Sequence, residues 1–205
     1  MFDARLRPLI DPPLNRAGRW LAARGASANQ ITLTGFGFAL VAGALIGAGR
    51  SDLALIFVIL NRLCDGLDGA VARVTGKTDL GGYLDIVLDF IFYGGIPLAF
   101  AVQDPAGNAL AAAVLLFSFY ANGSAFLAFA VIAEKRGFVT TAQGQKSLFY
   151  LSGIAEGAET IALFCLMCLW PSGFALLAYG FAAVCVVSAA ARVVMVSRLL
   201  SREKR

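Results

Sequence analysis

Two pairs of aspartates define the chemistry open to this chain. Asp65 and Asp68 stand three residues apart, Asp85 and Asp89 four apart, and both pairs lie inside otherwise apolar sequence. Those spacings put each pair on one face of a helix, so two helices can bring four carboxylates together. An ionised Asp near a bilayer centre costs about 2.5–3.5 kcal/mol, so a cluster at that depth needs a cation and a polar cavity. A divalent metal is the simplest neutraliser. All-oxygen ligation suits hard ions such as Mg²⁺ or Mn²⁺, and two such ions roughly 3.5–4 Å apart clamp a phosphoryl group in transfer, with carboxylates bridging them.

The elements that must position these groups are membrane helices. With 205 residues, 59% of them hydrophobic, and a mean hydropathy of +0.77, the chain is too apolar for a soluble domain and too short for a membrane core plus a large soluble one. Apolar stretches at 31–49, 53–72, 81–102, 109–132, 147–170 and 174–196 are each near the ~20 residues a helix needs to cross. The expectation is an all-α integral membrane protein of about six transmembrane helices, preceded by an interfacial amphipathic helix. It forms a single domain over 1–205, with an interfacial segment at 1–28, the bundle at 29–197 and a basic tail at 198–205.

Charge orients the bundle. Arg5, Arg7, Arg16, Arg19 and Arg24 precede the first span, Arg73 and Lys77 follow the second, Lys135, Arg136 and Lys146 follow the fourth, and Arg198, Arg202, Lys204 and Arg205 close the chain. The opposite loops carry only Arg50. By the positive-inside rule both termini and the Asp65–Asp89 site face the cytoplasm, in an inner or cytoplasmic membrane. The net charge of +4 sits beside the spans, which points to anionic lipid head groups rather than nucleic acid. The first residues hold no continuous apolar core ahead of a cleavage site, so no signal peptide is expected. Pro8, Pro12 and Pro13 are expected to break that segment, leaving 14–24 as a short basic helix in the interface. Trp20, Tyr83 and Tyr150 are expected as interfacial anchors, and Phe36, Phe38, Phe90, Phe92, Phe117, Phe119, Phe126 and Phe129 as lipid-facing. The four cysteines read as packing residues, since the chain has no histidine and no second Cys-x-x-Cys pair to build a zinc site.

From Asp65 the sequence runs Asp-Gly-Leu-Asp-Gly-Ala-Val-Ala-Arg, then Gly81, Asp85 and Asp89. It closely resembles the signature of the CDP-alcohol phosphatidyltransferase family, Asp-x2-Asp-Gly-x2-Ala-Arg followed by Gly-x3-Asp-x3-Asp. Seven residues separate Arg73 from Gly81, one fewer than the commoner family spacing. The resemblance implies two divalent ions, with Asp65 and Asp85 touching both, Asp68 the first and Asp89 the second, and Asp89 serving as general base. It implies a CDP-linked lipid donor such as CDP-diacylglycerol, an alcohol acceptor, release of CMP, and a homodimer.

It further implies that Asn29, Thr32, Gly69, Arg73 and Thr78 line the CDP-lipid site. Each has a plainer role beside it. Asn29 or Ser27 can cap the first span, Gly69 can serve helix packing, and Thr78 is preferred over Asp79 because a hydroxyl donates to phosphate where a carboxylate repels it. In the fifth span Glu156 and Glu159 share a helical face and either pair with Arg62 or Arg192 or bind the acceptor; Lys146 and Arg192 suit an anionic acceptor. Asp89 with Gly94 and Pro97 is similar to the run of phosphatidylserine synthases, and the Asp-Pro-x-x-Asp-Lys pattern of phosphatidylglycerophosphate synthases is missing, which leans away from glycerol phosphate; serine, glycerol phosphate, an inositol derivative and another phospholipid all stay open as acceptors. Two other classes compete. A membrane prenyltransferase would need a second Asp-rich motif, yet no Asp follows Asp104. A small transporter or channel subunit would use the aspartates as a cation site and release no CMP.

Overall fold

The computed structural model describes residues 3–136 and 157–202. These fold into α1 (Asp3–Ala23), α2 (Ala28–Gly47), α3 (Ser51–Thr75), α4 (Asp79–Gln103), α5 (Pro105–Lys135), α6 (Gly157–Leu169) and α7 (Phe174–Arg202), with a 3₁₀ turn at Pro171–Gly173 before α7. No strand occurs among the described residues. The protein is an all-α membrane protein.

Helix starts follow local chemistry. Ser27 caps α2 in a capping box: its hydroxyl accepts from the Gln30 amide at 3.2 Å, and the Gln30 side chain accepts from the Ser27 amide at 3.0 Å. That releases Asn29 from capping. Thr78 caps α4 by accepting from the Gly81 amide at 3.0 Å, and Asp104 caps α5, where Pro105 stands at the position that needs no amide donor. At the start of α3, the Leu53 amide and the Arg50 guanidinium hold the Asp52 carboxyl below the usual carboxylate range.

Four segments are long and apolar enough to cross a membrane: α2, α4, α5 and the stretch Pro171–Ser201 that contains α7. At 25 residues α3 has the length as well, but its aspartate motif makes it less apolar. Of the fifth expected span only 157–170 lies within the described residues, with Gly157–Leu169 helical.

Helix α2 packs on both α3 and α4; α4 packs on α5, α5 on α7, α3 on α6, and α1 lies along α3. The core gathers Ile46, Val58, Phe92, Phe100, Leu115, Phe164, Met167 and Phe174. Phe100 stacks on Phe174 at 4.7 Å between ring centres, and Phe164 meets Phe92 edge-on at 5.7 Å. Phe92 and Phe129 are therefore core residues rather than lipid-facing ones, while Phe90, Phe117 and Phe126 are exposed as expected.

The N-terminal segment also differs from expectation. Helix α1 runs unbroken through Pro8, Pro12 and Pro13. Proline's fixed φ is helical, so the cost is a missing backbone bond and local crowding, and this helix accepts both over its first three turns. Packing then holds it: Gly18 lies so close to Ala70 that a Cβ at Gly18 would stand 2.6 Å from the Ala70 Cβ, and Leu14 sits over Gly66. Gly76, at φ +99°, ends α3 and with Lys77 and Thr78 forms the three-residue turn into α4.

Candidate active site

Helices α3 and α4 both pack on α2 but hardly approach each other, so a cleft opens between them with α2 as its back wall. All four motif aspartates line it. The cleft, a narrow one of about 20 Å³, is bounded by Asp65, Asp68, Asn61 and Arg62 from α3, by Asp85, Leu88 and Asp89 from α4, and by Thr32, Gly35 and Phe36 from α2. The i,i+3 and i,i+4 spacings converge because the short turn at Gly76 folds α4 back against the same face of α2.

Burial differs along the cluster. Asp68 is deepest, at 6% exposure, and its Oδ2 accepts from the Thr32 hydroxyl at 2.6 Å. Asp65 and Asp89 are half-buried, and Asp85 is exposed. Asp89 Oδ1 accepts from Arg62 Nη2 at 2.7 Å, and Asp65 Oδ2 lies 3.6 Å from Arg62 Nη1. Four carboxylates against one guanidinium leave a formal charge of −3 in the cleft. Among the described residues no three acidic, histidine or cysteine side chains are arranged to close on one ion. The donor chemistry nevertheless fits hard divalent cations, since the uncompensated charge is carried wholly by carboxylate oxygens.

Around the mouth the expected lipid-site residues divide. Thr32 is in the cleft wall. Asn29 and Thr78 meet at the start of α4: a Cβ at Gly81 would find Thr78 Oγ1 at 3.0 Å and Asn29 Oδ1 at 3.1 Å. Among the described residues Gly69 has only Arg73 near the place of its absent side chain, at 3.5 Å, which leaves space there for a ligand. Arg73 does not enter the cleft but donates from Nε and Nη2 to Asn15 Oδ1 of α1, at 3.1 and 2.8 Å.

Of the acceptor candidates, the two described ones, Arg192 and Glu159, are not part of this cleft wall. Arg192 is buried between α5 and α7, where Nη1 donates to the backbone and side-chain oxygens of Asn122, both at 3.0 Å, and its guanidinium lies over Phe126. Glu159 stands half-buried in the first turn of α6. Lys146 and Glu156 lie outside the described residues.

The sequence offered Arg62, with Arg192, as one possible partner for the glutamates of the fifth span; its ion pairs run instead to Asp89 and Asp65. The available signal was its position three residues before Asp65, on the face that Asp65 occupies. Asn61, 5% exposed, was missed altogether: Nδ2 donates to the Gly35 carbonyl and Oδ1 accepts from Arg62 Nε, each at 2.8 Å. Beyond Phe36 the cleft meets an apolar groove of about 440 Å³ between α2 and α4, lined by Leu40, Gly43, Gly47, Ile91 and Gly95 among others.

Comparison with known proteins agrees with this architecture. The sequence model of the CDP-alcohol phosphatidyltransferase family matches residues 26–200. The inner membrane protein YnjF of Escherichia coli is 45% identical over 193 residues, covering 94% of each chain. An archaetidylinositol phosphate synthase of Pyrococcus horikoshii is 39% identical over 87 residues, which cover 42% of this chain and 46% of its own. The phosphatidylinositol phosphate synthase PgsA1 of Mycobacterium tuberculosis, solved with CDP-DAG bound, superposes with a TM-score of 0.69 at 19% identity, over 89% of this chain and 92% of that one.

Proposed function

Since the chain belongs to the CDP-alcohol phosphatidyltransferase family, and is thereby an enzyme of that class in phospholipid biosynthesis, we propose that it transfers a phosphatidyl group from CDP-diacylglycerol to a hydroxyl acceptor and releases CMP. The observation that carries this is the convergence of Asp65, Asp68, Asp85 and Asp89 from two helices on one cleft that continues into an apolar groove. That continuity suits a donor with a charged nucleotide diphosphate at one end and acyl chains at the other.

The four aspartates would hold two divalent ions, Mg²⁺ or Mn²⁺, which when bound neutralise the diphosphate and the charge developing on departing CMP. The remaining steps belong to side chains of this protein. Asn29, Thr78 and the open space at Gly69 receive the nucleotide at the mouth. The Thr78 hydroxyl accepts from the Gly81 amide, which leaves its own proton for a phosphate oxygen. Thr32 orients Asp68 through its 2.6 Å bond. Arg73 braces α1 against α3 at the edge of the nucleotide site. The acceptor hydroxyl gives its proton to Asp89 as its oxygen bonds to the lipid-side phosphorus; the bond from that phosphorus to the CMP oxygen breaks.

An inositol phosphate is our first choice of acceptor, ahead of serine and glycerol phosphate; the name of the Pyrococcus relative, an archaetidylinositol phosphate synthase, supports this choice. The acceptor side would draw on the charged residues the sequence offers for it, Arg192 and Glu159 together with Lys146 and Glu156. The site faces the cytoplasm by the distribution of Lys and Arg, and the protein works in the inner or cytoplasmic membrane, as a homodimer. Membrane prenyltransfer and ion transport are set aside by family membership. The test is CMP release by the purified protein given CDP-diacylglycerol, Mn²⁺ or Mg²⁺, and acceptors supplied one at a time. Release with one acceptor supports the assignment; release with none, alongside no metal-dependent binding of the donor, refutes it.

A further inference from the structure

Arg62 is held on every side. Its side chain is 15% exposed; Nε donates to Asn61 Oδ1 at 2.8 Å, Nη2 donates to Asp89 Oδ1 at 2.7 Å, and Nη1 faces Asp65 Oδ2 at 3.6 Å. The guanidinium plane lies over the Phe92 ring, 4.4 Å from its centre, with Tyr93 at 5.7 Å. Asn61 is itself anchored on the Gly35 carbonyl. Such a cage immobilises the fork, whereas a surface Arg wanders among solvent-exposed partners. It is also a direct side-chain link between α3 and α4, two helices that otherwise barely touch.

We propose that Arg62 is a positioning residue with two linked effects. It fixes the Asp89 carboxylate by one oxygen, leaving Oδ2 to meet the acceptor hydroxyl. It also competes with divalent ions for Asp65 and Asp89 and so sets how tightly the cluster binds metal. The inference rests on the assignment of the four aspartates as metal ligands. An ion using Asp65 Oδ2 or Asp89 Oδ1 shares that oxygen with a fixed positive charge, or takes the oxygen from it. The guanidinium thus lowers metal affinity while it holds the base in line, and losing it moves the two properties in opposite directions.

The experiment compares wild type, Arg62→Gln, Arg62→Lys and Asp65→Asn in detergent. Mn²⁺ binding is read from the free-ion EPR signal with no substrate present, and kcat and KM from CMP release. Arg62→Gln is expected to bind Mn²⁺ about tenfold tighter, because a fixed like charge beside two of the four ligands is removed. Its kcat is expected to fall roughly a hundredfold at nearly unchanged donor KM, the cost of a base that has lost its alignment. Arg62→Lys keeps the charge but loses the fork, so Mn²⁺ affinity stays near wild type while kcat falls. Should Arg62→Gln not fold, this split in Arg62→Lys carries the test. Mn²⁺ binding to Arg62→Gln that is unchanged or weaker, or an Arg62→Lys that turns over like wild type, overturns the proposal. Asp65→Asn separates the two layers: if it leaves Mn²⁺ binding untouched, the metal assignment itself fails.

Discussion

Replacing Gly18 with alanine tests how α1 braces the motif helix. A Cβ at Gly18 would stand 2.6 Å from the Ala70 Cβ and 2.9 Å from the Ala70 carbonyl carbon, and the latter is backbone that no rotamer change can move. Carbon atoms settle about 3.5–4.0 Å apart, so α1 must retreat from α3 by about 1 Å at this crossing. Overpacking of this kind costs about 1–3 kcal/mol. The retreat also loosens Leu14 over Gly66 and the Asn15–Arg73 bonds that flank the aspartate motif. Gly37→Ala on α2 is the matched control: none of the described residues lies within 4 Å of its Cβ position, and both changes carry the same gain in helix propensity. The difference between the two variants therefore isolates the clash. For a chain of this size a 1–3 kcal/mol gap is about 2–12 °C in melting temperature, measured by scanning fluorimetry in detergent. Trypsin adds a local readout, since Arg16, Arg19 and Arg24 are exposed on α1 or just after it and cleavage there should accelerate only in Gly18→Ala. A Gly18→Ala protein as stable and as protease-resistant as Gly37→Ala would refute the packing of α1 on α3.

Gly35→Ala places a Cβ 2.8 Å from the Cys64 Cβ and should lower stability by about 1–3 kcal/mol while reducing CMP release, by wedging α2 from α3 beside the cleft. Because the clash is with Cβ, Cys64→Gly should restore part of the loss and Cys64→Ala should not, as paired melting curves would report. Thr32→Val removes the donor at 2.6 Å from buried Asp68, and leaving that carboxylate short of a partner costs about 1–3 kcal/mol, so kcat/KM should fall about tenfold or more while Thr32→Ser retains it.

How far the sequence reached depended on whether a relation was local. The pairing of Asp65 with Asp68 and of Asp85 with Asp89 was legible because helical periodicity alone puts each pair on one face. Their convergence on one cleft also rested on the motif resemblance, and the short Gly76–Thr78 turn then made it geometric fact. Arg62 was legible as a neighbour of Asp65 but not of Asp89, because the second contact spans two helices whose spacing is set by their common packing on α2. Phe92 looked lipid-facing in a sequence where nearly every span position is apolar; only the bundle decides which face is inside, and it puts Phe92 against Phe164 and under Arg62. In α1 the prolines argued for a break, but contact with Ala70 and Gly66 stabilises a helix that local propensity disfavours. Ser27, rather than Asn29, capped α2 because Gln30 completes a capping box with it.

CMP release in the presence and absence of divalent metal, for wild type and Asp89→Asn, bears most directly on the central claim that this aspartate cleft performs phosphatidyl transfer. Wild type should release CMP from CDP-diacylglycerol with at least one acceptor, stop on chelation and recover with Mg²⁺ or Mn²⁺. Asp89→Asn should lose roughly 10²–10⁴-fold in rate while still binding the CDP-lipid, as expected for removal of a general base. CMP release that persists in Asp89→Asn, or that ignores chelation, would contradict the account.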